Sequence, residues 1–394
     1  MQIPVKKTVF LFTAAVLAAG LLAGCGKKKE TDSGEPMPAP VESAAEEMTG
    51  LSAGISFPNE TEERWKNDAA AISGMLKSHG YDAKILYAGD NTAQQNTDIE
   101  SLVSGGVSLL IVAACDENGL VQSMTKAKEA GIPVIAYDRL IRNTDAVTEY
   151  VAFDDYLTGH LQAQFILDKL GLKEAETSKL YHMEFAAGDR SDLRQGYYFN
   201  GAYDTLRPFL ESGALHVTSG EVTFSEAAAD PVPADPNVKN STGKTVADVQ
   251  NERMKRILSE FYPDATQLDA VLCLDDEAAA GVIKAVGSGY YGKNDVIITG
   301  MGAADQNLSL IRDGKQSMTV SEFPERLHKV TAALAISIMK GESPDEVLIG
   351  KEGLADFIRY DTESYDNGTG VIEAYLAKPE VVTGKTLEAE GEKK

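Results

Sequence analysis

The chain has 394 residues, of which 43% are hydrophobic and 25% charged, and that length suits about two domains of roughly 150 residues each. Its 60 acidic residues outweigh 37 basic ones and leave a net charge of −23. That balance excludes a nucleic-acid-binding face, which has to be basic, and electrostatic adhesion to an anionic membrane.

The first 49 residues read as export and tethering segments. Lys6 and Lys7 precede an almost purely apolar run, Val9 to Ala23, which is short for a spanning helix of ~20 residues. It ends in Leu22-Ala23-Gly24-Cys25, and small residues there mark a secretory cleavage site. Residues 1–24 are therefore expected to be a signal peptide. A Cys directly after Leu-Ala-Gly resembles the bacterial lipobox, which implies lipidation at Cys25. Residues 25–49 are rich in Gly, Pro, Ser and Glu, too polar to order themselves, and read as a flexible tether.

From residue 51 strands and helices alternate. LSAGISF, DAKILYAG, VSLLIVAA and PVIAYD read as strands, with helices between them that begin near Thr61, Asn91 and Asn118. The alternation returns after residue 150 with strands EYVAFD, KLYHMEFA, LDAVLCLD and DVIITGM and their intervening helices. Repeated alternation at this spacing predicts parallel sheets with helices on both faces, and its two halves predict two lobes. Residues 225–243, with Pro, Asp, Asn and Gly, read as a surface loop. Cys115 and Cys273 fall at strand ends in different halves and are expected to be free buried thiols. With no C-x-x-C or His-rich spacing, neither a metal nor a cofactor is expected.

The chain is organised around residues 133–155. The run Pro133 to Tyr137 ends on Asp138 and Arg139, and the run Tyr150 to Phe153 ends on Asp154 and Asp155. Ligands of open α/β sheets bind beyond the carboxyl ends of strands. Asp138 and Arg139 therefore stand where a polar small molecule would be met, although an ion pair that only braces a loop reads the same way.

This stretch also carries a resemblance. Ala136-Tyr137-Asp138-Arg139, then Tyr150-Val151-Ala152-Phe153-Asp154, then Gly159-His160-Leu161-Gln162-Ala163 are similar to the type I periplasmic sugar-binding proteins of ABC importers. The xylose and multiple-monosaccharide group is the nearest. The similarity runs from about residue 50 to about residue 385 and is densest in the first third. It implies two Rossmann-like α/β lobes with parallel sheets, joined by a three-strand hinge. On that basis the first lobe is expected to hold residues 50–152 and 302–344. The second is expected to hold 153–301 and 345–394, with crossings near 153, 301 and 345.

A monosaccharide presents many hydroxyls and one or two apolar faces. Its site needs planar Arg, Asp and Asn groups and an aromatic ring. Arg64 and Trp65, the only tryptophan, resemble the family's Arg-Trp pair, in which the ring stacks on sugar; packing of the ring on the lobe is the other reading. Asp116 reads either as a ligand group or as a helix cap ahead of Asn118. Asp276, ahead of Glu277-Ala278-Ala279-Ala280-Gly281, resembles a sugar-bonding acid and reads also as a helix cap. Arg194, in GDRSDLRQG, stands where xylose binders carry Asn and ribose binders Arg. Met301-Gly302 and Glu322 replace polar or Lys positions of the family, so the second half of the site is rebuilt and the sugar's identity stays open.

Together these readings describe an extracytoplasmic, lipid-anchored solute-binding protein, expected to be a monomer. It would capture a pentose or hexose between its lobes and deliver it to an ABC permease. One alternative is presentation of sugar to a chemotaxis or two-component receptor. Another, weaker one is an enzyme acting on sugar: acidic pairs such as Asp154-Asp155 are placed only by adjacency, and such pairs are usually solvated or caps. Gly243-Lys244-Thr245 fails as a phosphate-loop end because Val238 occupies the first glycine position.

Overall fold

The apolar runs of the first third become neighbouring strands of one sheet in the computed structural model. It describes residues 50–173, 179–231, 243–263, 267–290, 292, 294–345, 348 and 354–391. The signal peptide, the tether, Cys25 and most of the 225–243 loop lie outside the described residues.

The first lobe is built from β1 (Ser52–Phe57), α1 (Glu63–Ser78), β2 (Asp82–Tyr87), α2 (Thr92–Ser104), β3 (Leu109–Val112), α3 (Val121–Glu129), β4 (Val134–Tyr137) and β5 (Val147–Phe153). Strands β3 and β4 are buried at every residue, as expected of parallel strands covered on both faces. Helix α1 packs on one face, around Phe57, Trp65 and Tyr137, and helices α2 and α3 pack on the other, around Leu102, Leu110 and Met124.

The second lobe repeats the plan with α4 (Asp155–Leu170), β6 (Tyr181–Ala186), α5 (Leu193–Glu211), β7 (Leu215–Val217), α6 (Phe224–Ala227), α7 (Val246–Phe261), β8 (Ala270–Cys273), α8 (Asp276–Gly289) and β9 (Ile297–Ile298). Its strands lie in the order β7-β6-β8-β9, all parallel. Helices α4 and α5 cover one face and α7 and α8 the other. The rest of the chain forms α9 (Asp305–Arg312), β10 (Thr319–Ser321), α10 (Pro324–Lys340), β11 (Ile358–Asp361), β12 (Glu373–Ala377), β13 (Glu380–Val382) and α11 (Gly384–Gly391).

Strand pairing divides this last part differently from the expectation. Val320 bridges to Met301 and its amide donates to the Gly300 carbonyl at 2.9 Å, while β10 pairs antiparallel with β13. Residues 302–321 therefore stay with the second lobe. Helix α10 returns to the first lobe and packs beside α1. Strand β12 then pairs parallel with β5, and β11 pairs antiparallel with β12, so the first sheet runs β11-β12-β5-β4-β3-β1-β2. The crossings fall after β5, after β10 and between β12 and β13, so the second and third lie away from the expected 301 and 345. The periodicity of a segment does not say which distant strand it will pair with.

The Gly159-to-Ala163 motif proves to be a packing device. An added Cβ on Gly159 would sit 1.8 Å from the Tyr198 carbonyl oxygen, and one on Gly201 would sit 1.9 Å from that of Tyr156. Helices α4 and α5 thus touch backbone to backbone through two glycines. Gln162, fully buried, donates its side-chain amide to the carbonyls of Cys273 and Gly300, both at 2.9 Å, and so ties α4 to the ends of β8 and β9. Cys115 and Cys273 are free thiols. Gly159→Ala is expected to lower stability by about 1–3 kcal/mol, the usual range for overpacking, measured by urea unfolding under circular dichroism. An unchanged midpoint would mean that the helices separate at no cost.

Candidate functional site

Beyond the carboxyl ends of the two sheets lies a cleft of about 580 Å³. Its wall draws on Arg64, Asp116, Asp138 and Arg139 from the first lobe and on Asp155 and Arg194 from the second. A broader depression of about 1070 Å³ borders it around Asp189, Asp230, Lys244 and Asp275. Its lining comes from the second lobe alone. The cleft fed by both lobes is therefore the candidate site.

On the first-lobe side the loop after β1 sets the start of α1. The Asn59 side chain accepts from the amides of Thr61 and Glu62 at 3.1 and 2.8 Å and donates to Asp90 at 2.8 Å. This places Arg64 in the first turn of α1, where its Nη2 donates to Asp138 Oδ1 at 2.5 Å and its Nε lies 3.7 Å from Asp68. Burial and Arg194 work against the Arg64 charge, but Asp138 and Tyr137 together outweigh them and the pKa is raised. Behind this pair the Tyr137 hydroxyl donates to Asp68 at 2.9 Å, and His328 of α10 meets the other Asp68 oxygen at 2.7 Å.

Asp138 itself is held in an unusual shape. Its φ is +63°, and the Arg139 amide donates to the Tyr137 carbonyl at 2.6 Å, forming a γ-turn with a left-handed central residue. Such turns are rare and strained, so the surroundings must enforce it. The Asp138 amide donates to Val151 O at 2.7 Å and the Tyr150 hydroxyl donates to Asp138 O at 3.0 Å. The turn sends Asp138 toward Arg64 and leaves Arg139 to donate to Ala114 O at 2.9 Å with its guanidinium over the Trp65 ring.

On the second-lobe side Asp192 caps α5 by accepting the Arg194 amide at 2.9 Å. The Arg194 guanidinium lies near the rings of Phe153 and Tyr198, at 5.6 and 5.4 Å from their centres. It donates to Asp155 Oδ1 through Nε at 3.1 Å and Nη2 at 2.7 Å, and pairs with Glu322 on the second crossing. Burial pushes the Asp155 carboxyl up to about 6, against the pull of Arg194. Burial, opposed by Arg194 and reinforced by Asp155 and Asp138, pushes the Glu322 carboxyl up to about 7. No metal-holding group of three or more His, Cys, Asp or Glu is found among the described residues.

Residues 53–343 match the family described as periplasmic binding protein domain. The chain belongs to this family. The multiple sugar-binding periplasmic receptor ChvE of Rhizobium radiobacter is 32% identical over 84% of this binding protein and 86% of its own length. The multiple sugar-binding periplasmic protein SbpA of Azospirillum brasilense is 32% identical over 83% of this chain and 84% of that relative. Among solved structures, an ABC transporter solute binding protein from Clostridium phytofermentans with bound β-D-glucose is 32% identical. It aligns with a TM-score of 0.64 over 86% of this chain and 95% of that one. No described helix of the binding protein is long and apolar enough to cross a membrane.

Of the residues singled out in the sequence, Arg64, Asp116, Asp138, Arg139 and Arg194 come together in the cleft wall. Asp116 is no helix cap: its Oδ1 accepts the Asn118 amide at 2.9 Å within a loop, and α3 starts only at Val121. Trp65 does not line the cleft. It is 1% exposed, edge-on to Phe57 at 5.7 Å, with the guanidiniums of Arg64 and Arg139 against its ring at 4.7 and 5.2 Å. Asp276 is also withdrawn. It accepts from Gln316 at 2.8 Å, Thr319 at 2.9 Å and the Ala304 amide at 3.1 Å, fastening α8 to the segments around α9 and β10. The cap is Asp275, which accepts the Ala278 amide at 2.7 Å.

Sequence reasoning missed Asp155, set aside as one of a solvated or capping pair, and the aromatic wall residues Tyr150, Tyr197 and Tyr365. Capping belongs to Asp154, which accepts the Leu157 amide at 3.1 Å; Asp155 is the next residue and turns into the cleft. Tyr150 opens the Tyr150-to-Asp154 motif but was read only as the start of a strand, and no motif marks Tyr197 or Tyr365.

Asp155 and Glu322 hold protons more tightly in the folded protein than in an unfolded chain, where carboxyls titrate at about 4. Their contribution to stability is thus fully present below about pH 4 and is lost as pH rises through about 6 to 7. Glu322→Gln removes one such group. Its melting temperature relative to the parent is expected to climb between about pH 5 and about pH 8. A gap that stays constant across that range would contradict the raised carboxyl.

Proposed function

We propose that this binding protein captures a monosaccharide, a pentose or hexose, in the interlobe cleft and delivers it to an ABC permease. The observation that carries this reading is the meeting of Arg64, Asp138 and Arg139 from one lobe with Asp155 and Arg194 from the other around one cleft. Guanidinium and carboxylate groups fixed in place are what a hydroxyl-dense ligand needs, and the cleft volume lies within the usual range for small-ligand sites of about 300–1,000 Å³. The printed names of the relatives, multiple sugar-binding proteins and a glucose-bound solute binding protein, favour the same reading.

The mechanism follows from the hinge. Sugar bonded by both lobes stabilises their approach by its extra affinity for the closed arrangement, so the closed population grows. A permease would then recognise the closed protein. Asp138, Arg64 and Arg139 are the proposed first-lobe ligands and Arg194 and Asp155 the second-lobe ones, with Asp116 at the edge. We take the ligand to leave unchanged, without a covalent step, and the protein to act as a monomer. Export by the 1–24 signal peptide, lipid attachment at Cys25 and a tether over 25–49 would place it outside the cytoplasmic membrane.

A thermal-shift panel of pentoses and hexoses tests this, because a ligand bound only by the folded form raises the melting temperature by mass action. At least one sugar should do so and be recovered unchanged by chromatography. Asp138→Ala is expected to abolish the shift while the protein stays folded by circular dichroism. A variant with the full shift would move the site elsewhere.

A further inference from the structure

A sugar ring carries flat patches of C–H besides its hydroxyls, and the face of an aromatic side chain suits them. The tryptophan that the sequence offers for this task, Trp65, is packed in the first-lobe core. The rings among the described residues that line the cleft are instead Tyr150, Tyr197 and Tyr365. They come from three separate places in the chain: β5, α5 and the connection between β11 and β12.

Two of the three are presented to the cleft. Tyr150 is 6% exposed and commits its hydroxyl to the Asp138 carbonyl, so it serves as a backing. Tyr365 lies against it, with ring centres 5.1 Å apart and planes at 54°. The chain around Tyr365 is fixed on both sides. Asp361 accepts the amides of Glu363 and Ser364 at 2.9 and 2.8 Å, and the Tyr365 carbonyl accepts the Ile372 amide at 2.9 Å. Tyr197 stands on α5, three residues after Arg194 and four after Leu193, and residues so spaced are neighbours on a helix surface. Leu193 is 68% exposed and Tyr197 42%. Among the described large hydrophobic side chains left exposed, only these two line the cleft. Apolar surface gains free energy when it leaves water, and here it borders the Arg194 guanidinium of the candidate site.

From this arrangement we propose that Tyr197 and Tyr365 cover the apolar faces of the sugar from the two lobes, in place of Trp65, and so select a closed ring over its open-chain alditol. The inference rests on the sugar-binding reading and adds the residues that choose among polyhydroxylated ligands. An alditol offers the polar side chains at least as many hydroxyls as its parent sugar. Hydrogen bonding therefore does not tell the two apart. The alditol lacks a fixed C–H face, however, and has more rotors to immobilise. A tyrosine wall rewards the rigid face and gives the flexible chain little in return.

Isothermal titration with D-glucose, D-galactose, D-xylose and D-ribose, each beside its alditol, tests the assignment. The parent protein is expected to bind at least one sugar about tenfold or more tighter than that sugar's alditol. Tyr197→Ala should weaken this sugar by about tenfold, the usual scale for truncating a buried tyrosine contact, and should shrink the sugar-to-alditol ratio several-fold. Tyr197→Phe keeps the ring and should retain both. Tyr365→Ala and Tyr365→Phe repeat the comparison on the other wall. Circular dichroism and the ligand-free melting temperature of Tyr197→Ala should match the parent's, because the ring is nearly half exposed. A selective loss at either position, rescued there by Phe, sustains the proposal. An alditol bound as tightly as its sugar by the parent, an unchanged ratio in both alanine variants, or Phe variants as impaired as the alanine ones overturns this inference alone. If the parent binds none of the four sugars, the sugar-binding reading falls with it.

Discussion

The Arg194 guanidinium, gripped by Asp155 and Glu322 and lying near Phe153 and Tyr198, is the constraint on which the rest of the site depends. Asp155 stands just after the first crossing and Glu322 on the second. One side chain therefore joins two of the three connections to the cleft wall. Removing one partner of a buried ion pair is far more disruptive than removing both, because the survivor keeps its desolvation cost. Arg194 has two partners, so losing one still leaves it paired.

The first lobe uses a different device for the same end. A strained turn at Asp138 aims one carboxylate at Arg64, and the Tyr150 hydroxyl and the Val151 carbonyl keep the turn closed. Asp68 then links Arg64 to Tyr137 and to His328 on α10. The helix that returns after the second crossing is thereby connected to the pair that faces the cleft. Cleft-wall groups and the connections between the lobes thus share hydrogen bonds in both lobes.

Much of this was legible in the sequence, for reasons that differ by residue. The α/β alternation showed because buried parallel strands are continuous apolar runs. Asp138 and Arg139 showed because they end such a run. Trp65 was misread: an aromatic beside an Arg after a strand looks like a stacking platform, and only burial against Phe57 under two guanidiniums reveals a core residue. The cap falls on Asp275 rather than Asp276 because one residue along a helix turns a side chain by about 100°. That 302–321 stay with the second lobe was invisible, since a three-residue strand pairing with residues 380–382 leaves no local signature.

Two further ion pairs fasten the first and third crossings. Arg359 of β11 grips Asp154 at 2.5 and 3.0 Å, and Arg326 of α10 grips Glu380 while bonding Lys378 O at 2.9 Å. These bonds hold the connections together without spanning the cleft, so most of any energy difference between an open and a closed arrangement has to come from whatever lies between the lobes.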